Sequence, residues 1–552
     1  MRVALLVSAF NSLSQAVFAN LKDRGYRVGV IFAIKNSQIK RELEEFSPDL
    51  VLAPFLKKYI APYIYEKWPI FLFHPGPRGD RGPNSLEHAL LSRDKRWGSV
   101  WLKISKEFDA GDIYAQALFD IREAPKASIY RKEVTKAALK TLPELFENIL
   151  KKRSIPQKME PIHRLITQKD RAIDWQKDSS EKIVKKINLS DSWPGVLDNI
   201  AGVDCYLFGA HIEEKLHIEF ENAPIKSVIA KRNTAVCLKT VDGAIWVSHL
   251  MEPNRFKLPA TYVLKSAIKG VKERRIPLIF NRSYKTFYEI WADERDEIAY
   301  LHFNFHNVAM SSDQCIRLKY AVEYLKERCK VLVLMGGEEF FSNGIHLNIL
   351  EDSKKRGEDG WSNINAMNDL INSIMQSREC LTVASIGRNA GAGGVFLALA
   401  CDFVVANEYS VLNPHYKTIG LSGSEYHSYT LPRRVGNDLS QKLLEEALPI
   451  STLFAKNIGM VDEVFEDTNY EERLESFCLE LVEDLDKYYE ALDAKEERLD
   501  RDRDKIEESL KMELKIMHPQ FWDENSKFHK LRHDFVYKVC PLKTPERFLL
   551  LK

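Results

Sequence analysis

The chain has 552 residues, of which 45% are hydrophobic, so it can bury large cores. Its 80 Lys and Arg residues nearly balance 79 Asp and Glu residues, so bulk charge gives no indication of a nucleic-acid or membrane partner. The eight cysteines do not show metal-ligand spacing, and no apolar run is long enough to cross a bilayer. These features predict a soluble, cytoplasmic protein with free thiols and no metal site.

The first segment, residues 1–155, alternates apolar runs with amphipathic stretches. Such alternation is typical of an α/β domain of the doubly wound, Rossmann-like type. The runs predicted as parallel strands are Val3–Val7, Val28–Phe32, Leu50–Ala53 and Ile70–Phe73, and Ser14–Arg24 is predicted as a helix.

The rest of the chain predicts two further domains. Residues 156–275 begin with a connector and continue with short β-like runs, which predict a small β-barrel or sandwich. A basic, turn-forming stretch at Lys272–Pro277 marks the boundary. Residues 285–552 return to an α/β pattern and include a charged tail, Asn469 to His518, which is predicted as one or two long helices with a solvated face.

Two motifs in the first domain can support acid–base chemistry. His74 follows a predicted strand, and Asp109 begins an Asp-Ala-Gly-Asp segment 35 residues later. The carboxyl ends of strands form the ligand crevice in open α/β sheets. A histidine there can act as a general acid and bind an oxyanion, and a nearby carboxylate raises its pKa.

In this order the motifs resemble those of the 10-formyltetrahydrofolate-dependent formyltransferases. The resemblance implies that His74 and Asp109 are the catalytic pair, around an Arg-Gly-Pro loop at residues 81–83. It also implies that the backbone of Phe55, Leu56 and Lys57 binds the pterin of 10-formyltetrahydrofolate. Motifs at residues 172–175 and 192–195 extend the resemblance into the family's C-terminal β domain, over about 270 residues.

The sequence departs from this family at two places. The asparagine expected two residues before His74 is Leu72, so one oxyanion donor is missing. The loop after the first strand has no glycine, which disfavours binding of a phosphorylated acceptor there. Gln15, in the same segment, is predicted to approach the formyl group.

A second pair of loops lies in the third domain. Residues 341–347 follow a strand, and the glycine-rich residues 389–396 precede a helix. Glycines at a helix start allow a ligand to approach backbone N–H groups, so two such loops can form an oxyanion hole for a thioester carbonyl.

These loops resemble those of the crotonase superfamily, the enoyl-CoA hydratases and isomerases. The resemblance implies that the amides of Ile345 and Gly393 form the oxyanion hole and that Asn307 and Ala309 belong to the coenzyme A (CoA) site. The two glutamates of the hydratases fall on Phe396 and Tyr416.

The missing glutamates change the predicted chemistry. Hydration of an enoyl thioester requires that carboxylate pair, so the sequence disfavours a plain hydratase. Tyr416 and Glu425 are the replacement acid–base groups that the sequence offers.

The order of the two halves resembles a family of hydrogenase maturation factors. That resemblance implies production of carbon monoxide for the iron of [NiFe]-hydrogenase from 10-formyltetrahydrofolate, through formyl-CoA. Contacts with other maturation proteins remain open. So do two other functions: a formyltransferase or formyltetrahydrofolate hydrolase whose crotonase half only binds acyl-CoA, and a non-catalytic maturation scaffold.

Overall fold

The computed structural model describes residues 1–280 and 282–549. The chain forms two compact units. The first contains Met1–Arg275, residues 282–287 and the last described residues, 540–549. The second contains Ile276–Phe280 and Tyr288–Val539. Residues 540–549 therefore belong to the first unit, although residues 285–552 were predicted as one crotonase-like domain with a helical tail.

The first unit begins with a six-stranded sheet in the order β2-β1-β3-β4-β5-β6. Strands β1 to β4 are parallel, and β5 and β6 extend the sheet in antiparallel fashion. The strands are β1 (Arg2–Val7), β2 (Arg27–Phe32), β3 (Leu50–Ala53), β4 (Ile70–His74), β5 (Arg96–Lys103) and β6 (Ile113–Asp120). The helices are α1 (Ser12–Asp23), α2 (Asn36–Phe46), α3 (Pro62–Tyr65), α4 (Ser85–Ser92), α5 (Lys126–Ile129), α6 (Thr135–Lys140) and α7 (Leu142–Leu150).

The buried apolar strands explain this layout. Residues Val3 to Val7 have no exposed surface, as expected for a central parallel strand covered on both faces. The four predicted strands and the predicted first helix match the observed ones to within two residues at their ends. His74 is the last residue of β4, at the carboxyl edge of the parallel strands.

The second part of this unit is an antiparallel sheet in the order β7-β8-β11-β10-β9, with β12 paired to β11. Helix α9 packs on it through Ile183 and Ile187, which are fully buried. The elements are β7 (Val196–Ile200), β8 (Val203–Glu213), β9 (Val228–Arg232), β10 (Ala235–Lys239), β11 (Ala244–Met251), β12 (Leu258–Pro259), α8 (Gln168–Arg171), α9 (Ser180–Leu189), α10 (Leu216–Glu219) and α11 (Ala260–Leu264).

The second unit is built on a six-stranded sheet in the order β13-β14-β16-β18-β20-β23, which is parallel from β14 onward. Its strands are β13 (Ile290–Arg295), β14 (Ile298–Phe303), β15 (Ala309–Met310), β16 (Val331–Gly336), β17 (Gly344–Ile345), β18 (Leu381–Ile386), β19 (Ala390–Gly391), β20 (Phe403–Asn407), β21 (Val411–Asn413), β22 (Ile450–Ser451) and β23 (Glu463–Phe465). The helices before the tail are α12 (Ser312–Lys326), α13 (Leu347–Asp352), α14 (Arg356–Met375), α15 (Gly393–Leu399), α16 (His427–Val435), α17 (Asn437–Glu446) and α18 (Thr452–Asn457).

The tail differs from its prediction in two respects. The predicted range, residues 469–518, contains three helices rather than one or two, namely α19 (Tyr470–Glu483), α20 (Leu485–Arg501) and α21 (Arg503–Trp522), and a further helix, α22 (Lys527–Val536), follows it. Its charged residues are not all solvated, because Lys495 and Glu513 are each only 2% exposed. The 3.6-residue pattern indicates helices, but it does not reveal which charges are paired inside the protein.

The predicted fold class, a multidomain α/β protein with a helical C-terminal region, is confirmed. Across the residues described, no helix is both long and apolar enough to cross a membrane.

Candidate functional site

His74 lies in the first candidate site, next to a carboxylate that the sequence analysis did not identify. Its side chain is almost completely buried, and its Nε2 lies 2.6 Å from Asp80 Oδ2. The other oxygen of Asp80 lies 2.7 Å from Nε2 of His163, a partly exposed residue in the connector. His74, Asp80 and His163 therefore form a hydrogen-bonded chain.

Asp109, the predicted partner of His74, lies farther away. The distance between His74 Nδ1 and Asp109 Oδ1 is 3.7 Å, which is an ion-pair distance rather than a hydrogen bond. The Gly82 N–H donates to Asp109 Oδ2 at 3.0 Å, and Gln157 Nε2 donates to the Asp109 carbonyl at 3.1 Å. The predicted Arg-Gly-Pro loop thus orients Asp109 toward the histidine.

The environment of Asp80 favours its ionised form. Burial acts to raise the pKa of Asp80, but hydrogen bonds from His74, Ser85 and His163 and the charge of His74 outweigh it and lower that pKa. His74 is consequently placed between two carboxylates, those of Asp80 and Asp109. The position of Asp80 directly before the Arg-Gly-Pro loop was the only sequence signal for it.

The other residues predicted for the first site lie on neighbouring loops. The carbonyl of Phe55 accepts from Ser8 N at 2.8 Å, and Lys57 N donates to Ser8 Oγ at 2.8 Å, so this strand end is joined to the loop after β1. Leu56 packs against the core of the sheet. Gln15 Nε2 donates to the carbonyl of Phe10 at 3.0 Å.

The end of the chain covers the same loop after β1. Thr544 Oγ1 donates to Glu42 Oε2 at 2.6 Å and accepts from Phe32 N at 2.9 Å. The ring of Phe548 contacts that of Phe10, with their centroids 4.9 Å apart. Sequence reasoning missed this segment because nothing in its short pattern indicates where it packs.

The second candidate site contains the two predicted oxyanion amides. Ile345 ends the short strand β17, and Gly393 is the first residue of α15. A Cβ added to Gly344 would lie only 3.0 Å from the Gly393 nitrogen, so the two loops are in contact. Gly393 lies at the N-terminus of α15, where the partial positive charge of a helix favours an oxyanion.

Glu425 and Tyr416 lie beside these amides. Tyr416 Oη donates to Glu425 Oε2 at 2.5 Å, and Ser424 Oγ donates to the same oxygen at 2.9 Å. The other oxygen, Glu425 Oε1, would lie 2.4 Å from a Cβ on Gly393. The carboxylate therefore fills the space that a side chain at position 393 would take, next to the oxyanion amide.

Burial changes the acidity of both groups. It raises the pKa of Glu425, and the charge of Glu513 adds to this, whereas hydrogen bonds from Tyr416 and Ser424 offset part of the rise. Burial and the charge of Glu425 raise the pKa of Tyr416 well above its ordinary value. Tyr416 consequently keeps its proton in this pair.

The positions that match the hydratase glutamates are neighbours in space. The rings of Phe396 and Tyr416 stack at 5.2 Å with an angle of 11° between their planes. His427 contacts both rings edge-on. An aromatic pair thus occupies the two positions that the crotonase resemblance assigns to the hydratase glutamates, and the Glu425 carboxylate is hydrogen-bonded to one of its rings through the Tyr416 hydroxyl.

Asn307 and Ala309 contact the loop that carries Ile345. Asn343 Nδ2 donates to the Asn307 carbonyl at 2.6 Å, and Ala309 pairs with Gly344 between β15 and β17. Their contribution seen here is to position the loop that carries Ile345.

Two family models match parts of this chain. Residues 294–541 match the enoyl-CoA hydratase/isomerase family, and residues 165–267 match the formyl transferase C-terminal domain. A methionyl-tRNA formyltransferase of Fervidobacterium nodosum is 25% identical over 39% of this chain and 70% of its own length.

Two relatives match along the whole chain. The hydrogenase maturation factor HoxX of Bradyrhizobium diazoefficiens is 36% identical over 99% of this chain and 96% of its own length. The crystal structure of HypX from Aquifex aeolicus in complex with tetrahydrofolic acid is 38% identical, has a TM-score of 0.95, and covers 99% of this chain and 98% of that one. This chain therefore belongs to the HoxX/HypX family of hydrogenase maturation factors.

Proposed function

We propose that this protein makes carbon monoxide for the iron of [NiFe]-hydrogenase from the formyl group of 10-formyltetrahydrofolate. The formyl group moves first to CoA, and formyl-CoA then splits into CO and CoA. The proposal includes a cytoplasmic location and leaves open which maturation protein receives the CO. Its main support is the Tyr416–Glu425 pair beside the Gly393 amide, where a thioester carbonyl would be bound.

The first step uses the site around His74. The CoA sulfur attacks the formyl carbon, the bond from that carbon to the folate nitrogen breaks, and the nitrogen receives a proton. His74, placed between Asp80 and Asp109, is the group that carries this proton. The tetrahydrofolate bound to the Aquifex aeolicus relative supports a folate as the donor.

The second step uses the site around Glu425. The backbone N–H groups of Ile345 and Gly393 donate hydrogen bonds to the carbonyl oxygen of formyl-CoA. Glu425 takes the formyl proton, the C–H electrons become part of CO, and the C–S bond breaks so that the sulfur leaves as thiolate. That proton then passes to the sulfur, from Glu425 or through Tyr416, so CoA is released as thiol.

A variant that blocks the cleavage of formyl-CoA but not the formyl transfer from folate tests the proposal. Tyr416→Phe removes one hydroxyl from a buried stacked ring and should leave CoA binding and formyl release from folate unchanged while reducing CO output. Formyl-CoA or formate should then accumulate, which mass spectrometry of the acid-quenched reaction detects. Wild-type CO output from both Tyr416→Phe and Glu425→Gln would place the second step elsewhere.

The two alternatives predict different products. A formyltransferase or hydrolase would yield a formylated amine or formate without CO in the wild-type protein. A non-catalytic scaffold would leave 10-formyltetrahydrofolate and CoA unchanged, and the aromatic pair at Phe396 and Tyr416 is the observation that favours it.

A further inference from the structure

The turn that carries Glu425 has an unusual backbone. Glu425 and the next residue, Tyr426, both have positive φ values, of 63° and 55°. Two consecutive residues other than glycine in this left-handed region are strained, and such strain persists only where the surroundings hold it. The contacts that hold this turn are therefore part of what places the carboxylate.

One carboxylate from the C-terminal helices makes most of these contacts. Glu513 on α21 accepts from Tyr426 N at 3.0 Å through Oε2. Through Oε1 it accepts from Ser428 N at 2.8 Å and from Ser428 Oγ at 2.6 Å. Asn368 on α14 completes the set, since its Oδ1 accepts from Glu425 N at 2.8 Å.

Glu513 also pairs with the histidine of the same turn. His427 Nδ1 lies 3.1 Å from Glu513 Oε1 and 3.0 Å from the Ser424 carbonyl. Burial alone would lower the pKa of His427, but the hydrogen bond and charge of Glu513 raise it above the ordinary value. This buried pair adjoins the Tyr416–Glu425 pair, and all four side chains are almost completely buried.

We propose that Glu513 is a positioning residue for thioester cleavage: by binding the amides of Tyr426 and Ser428 and the His427 ring, it holds Glu425 against Tyr416 and the Gly393 amide. This inference rests on the proposed function, because it concerns the same site. It gives the helical tail a task that neither its charge pattern nor its helical spacing indicates.

The charge of Glu513 should affect the pH profile of the reaction, which a purely structural contact would not do. The titratable groups that act on Glu425 are Tyr416 beside it, His427 on α16, Glu513 on α21 and Cys315 on α12. Among them Glu513 raises the pKa of Glu425 and that of His427. Loss of the Glu513 charge should lower both, so the corresponding transition in the pH profile moves to lower pH, whichever protonation state is the active one.

The test compares Glu513→Gln with Glu508→Gln in the full-length protein. Glu508 lies on the same helix but is exposed, so its variant controls for the loss of one carboxylate. Glu513→Gln should lower kcat for CO formation about tenfold or more, as expected when a hydrogen bond to a charged group is lost, and should change KM for CoA little. Its pH transition should lie below that of the wild type, and Glu508→Gln should match the wild type in both measurements.

The variant Glu513→Asp separates the effect of the charge at position 513 from the effect of side-chain length. It keeps the charge but is one methylene shorter, so it should be slower than the wild type with the pH transition retained, and it provides the test if the glutamine variant does not fold. Wild-type kcat in Glu513→Asp, or a slow Glu513→Gln whose pH transition does not move, overturns the positioning role. Absence of CO from the wild type would instead contradict the proposed function itself.

Discussion

A single methyl group at position 393 should disable the second site. The Cβ of alanine there would lie 2.4 Å from Glu425 Oε1 and 2.9 Å from Glu425 Cδ. Ordinary van der Waals contact begins near 3.4 Å, so the carboxylate has to move by about 1 Å. That displacement breaks the 2.5 Å hydrogen bond from Tyr416.

The expected loss of CO formation follows from this movement of the Glu425 carboxylate. A misplacement of about 1 Å at a reacting group can cost roughly 10²-fold in rate. Overpacking of a dense interior costs about 1–3 kcal/mol of folding free energy, which a protein of this size can tolerate. We therefore expect Gly393→Ala to remain folded and to lose CO formation by about two orders of magnitude.

The assay is CO formation from 10-formyltetrahydrofolate and CoA, followed by haemoglobin spectroscopy. Gly270→Ala is the matched control, because an added Cβ there meets nothing within 4 Å and its φ is not in the left-handed region. Formyl release from folate should be normal in both variants. A Gly393→Ala protein that makes CO as fast as Gly270→Ala would refute the placement of Glu425 beside the oxyanion amide.

The remaining predictions concern the charged groups of both sites. His74→Ala and Asp109→Asn should each slow formyl release from 10-formyltetrahydrofolate by roughly 10²-fold or more, measured by tetrahydrofolate absorbance. Asp80→Asn keeps the shape but removes a charge hydrogen-bonded to His74, so it should slow the same step by about 10- to 10²-fold; an unchanged rate would mean that Asp80 is only structural. The pKa of Glu425 is raised in the folded protein, so the protonated side chain contributes to the free energy of unfolding. This contribution is complete below the pKa of about 4.3 that a glutamate has in the unfolded chain, and it is lost as the pH rises through the pKa of the folded state. The Tm of Glu425→Gln minus that of the wild type should therefore increase from pH 5 to pH 8, and a constant difference would contradict the raised pKa.

Much of the fold could be predicted because its strands are continuous apolar runs. Segments such as Leu50–Ala53 and Val331–Gly336 are buried on both faces of parallel sheets, and this leaves a clear pattern in the sequence. The number of helices in the tail could not be predicted in the same way. The breaks at Asp484 and Asp502 lie within charged stretches that are themselves compatible with a helix.

The candidate sites were only partly predictable, because sequence spacing does not report close contacts made by a turn. The chain reverses after His74 and returns Asp80 to its ring, and Gly76 makes this possible, since a Cβ there would lie 2.1 Å from Asp80 Oδ2. Motif resemblance led to Asp109, which lies at 3.7 Å, rather than to Asp80. Glu513 was hidden for a different reason: it is one of many acidic residues in a helix that otherwise exposes them.

The fate of a labelled formyl group tests most directly whether this protein makes CO through formyl-CoA. Purified protein is incubated with 10-formyltetrahydrofolate carrying ¹³C in the formyl group, with and without CoA, and the gas is trapped on haemoglobin and analysed by infrared spectroscopy. If formyl-CoA is the intermediate, ¹³CO should appear only when CoA is present and should be strongly reduced in Tyr416→Phe and Glu425→Gln. Labelled formate as the sole product, or ¹³CO that forms equally well without CoA, would contradict it.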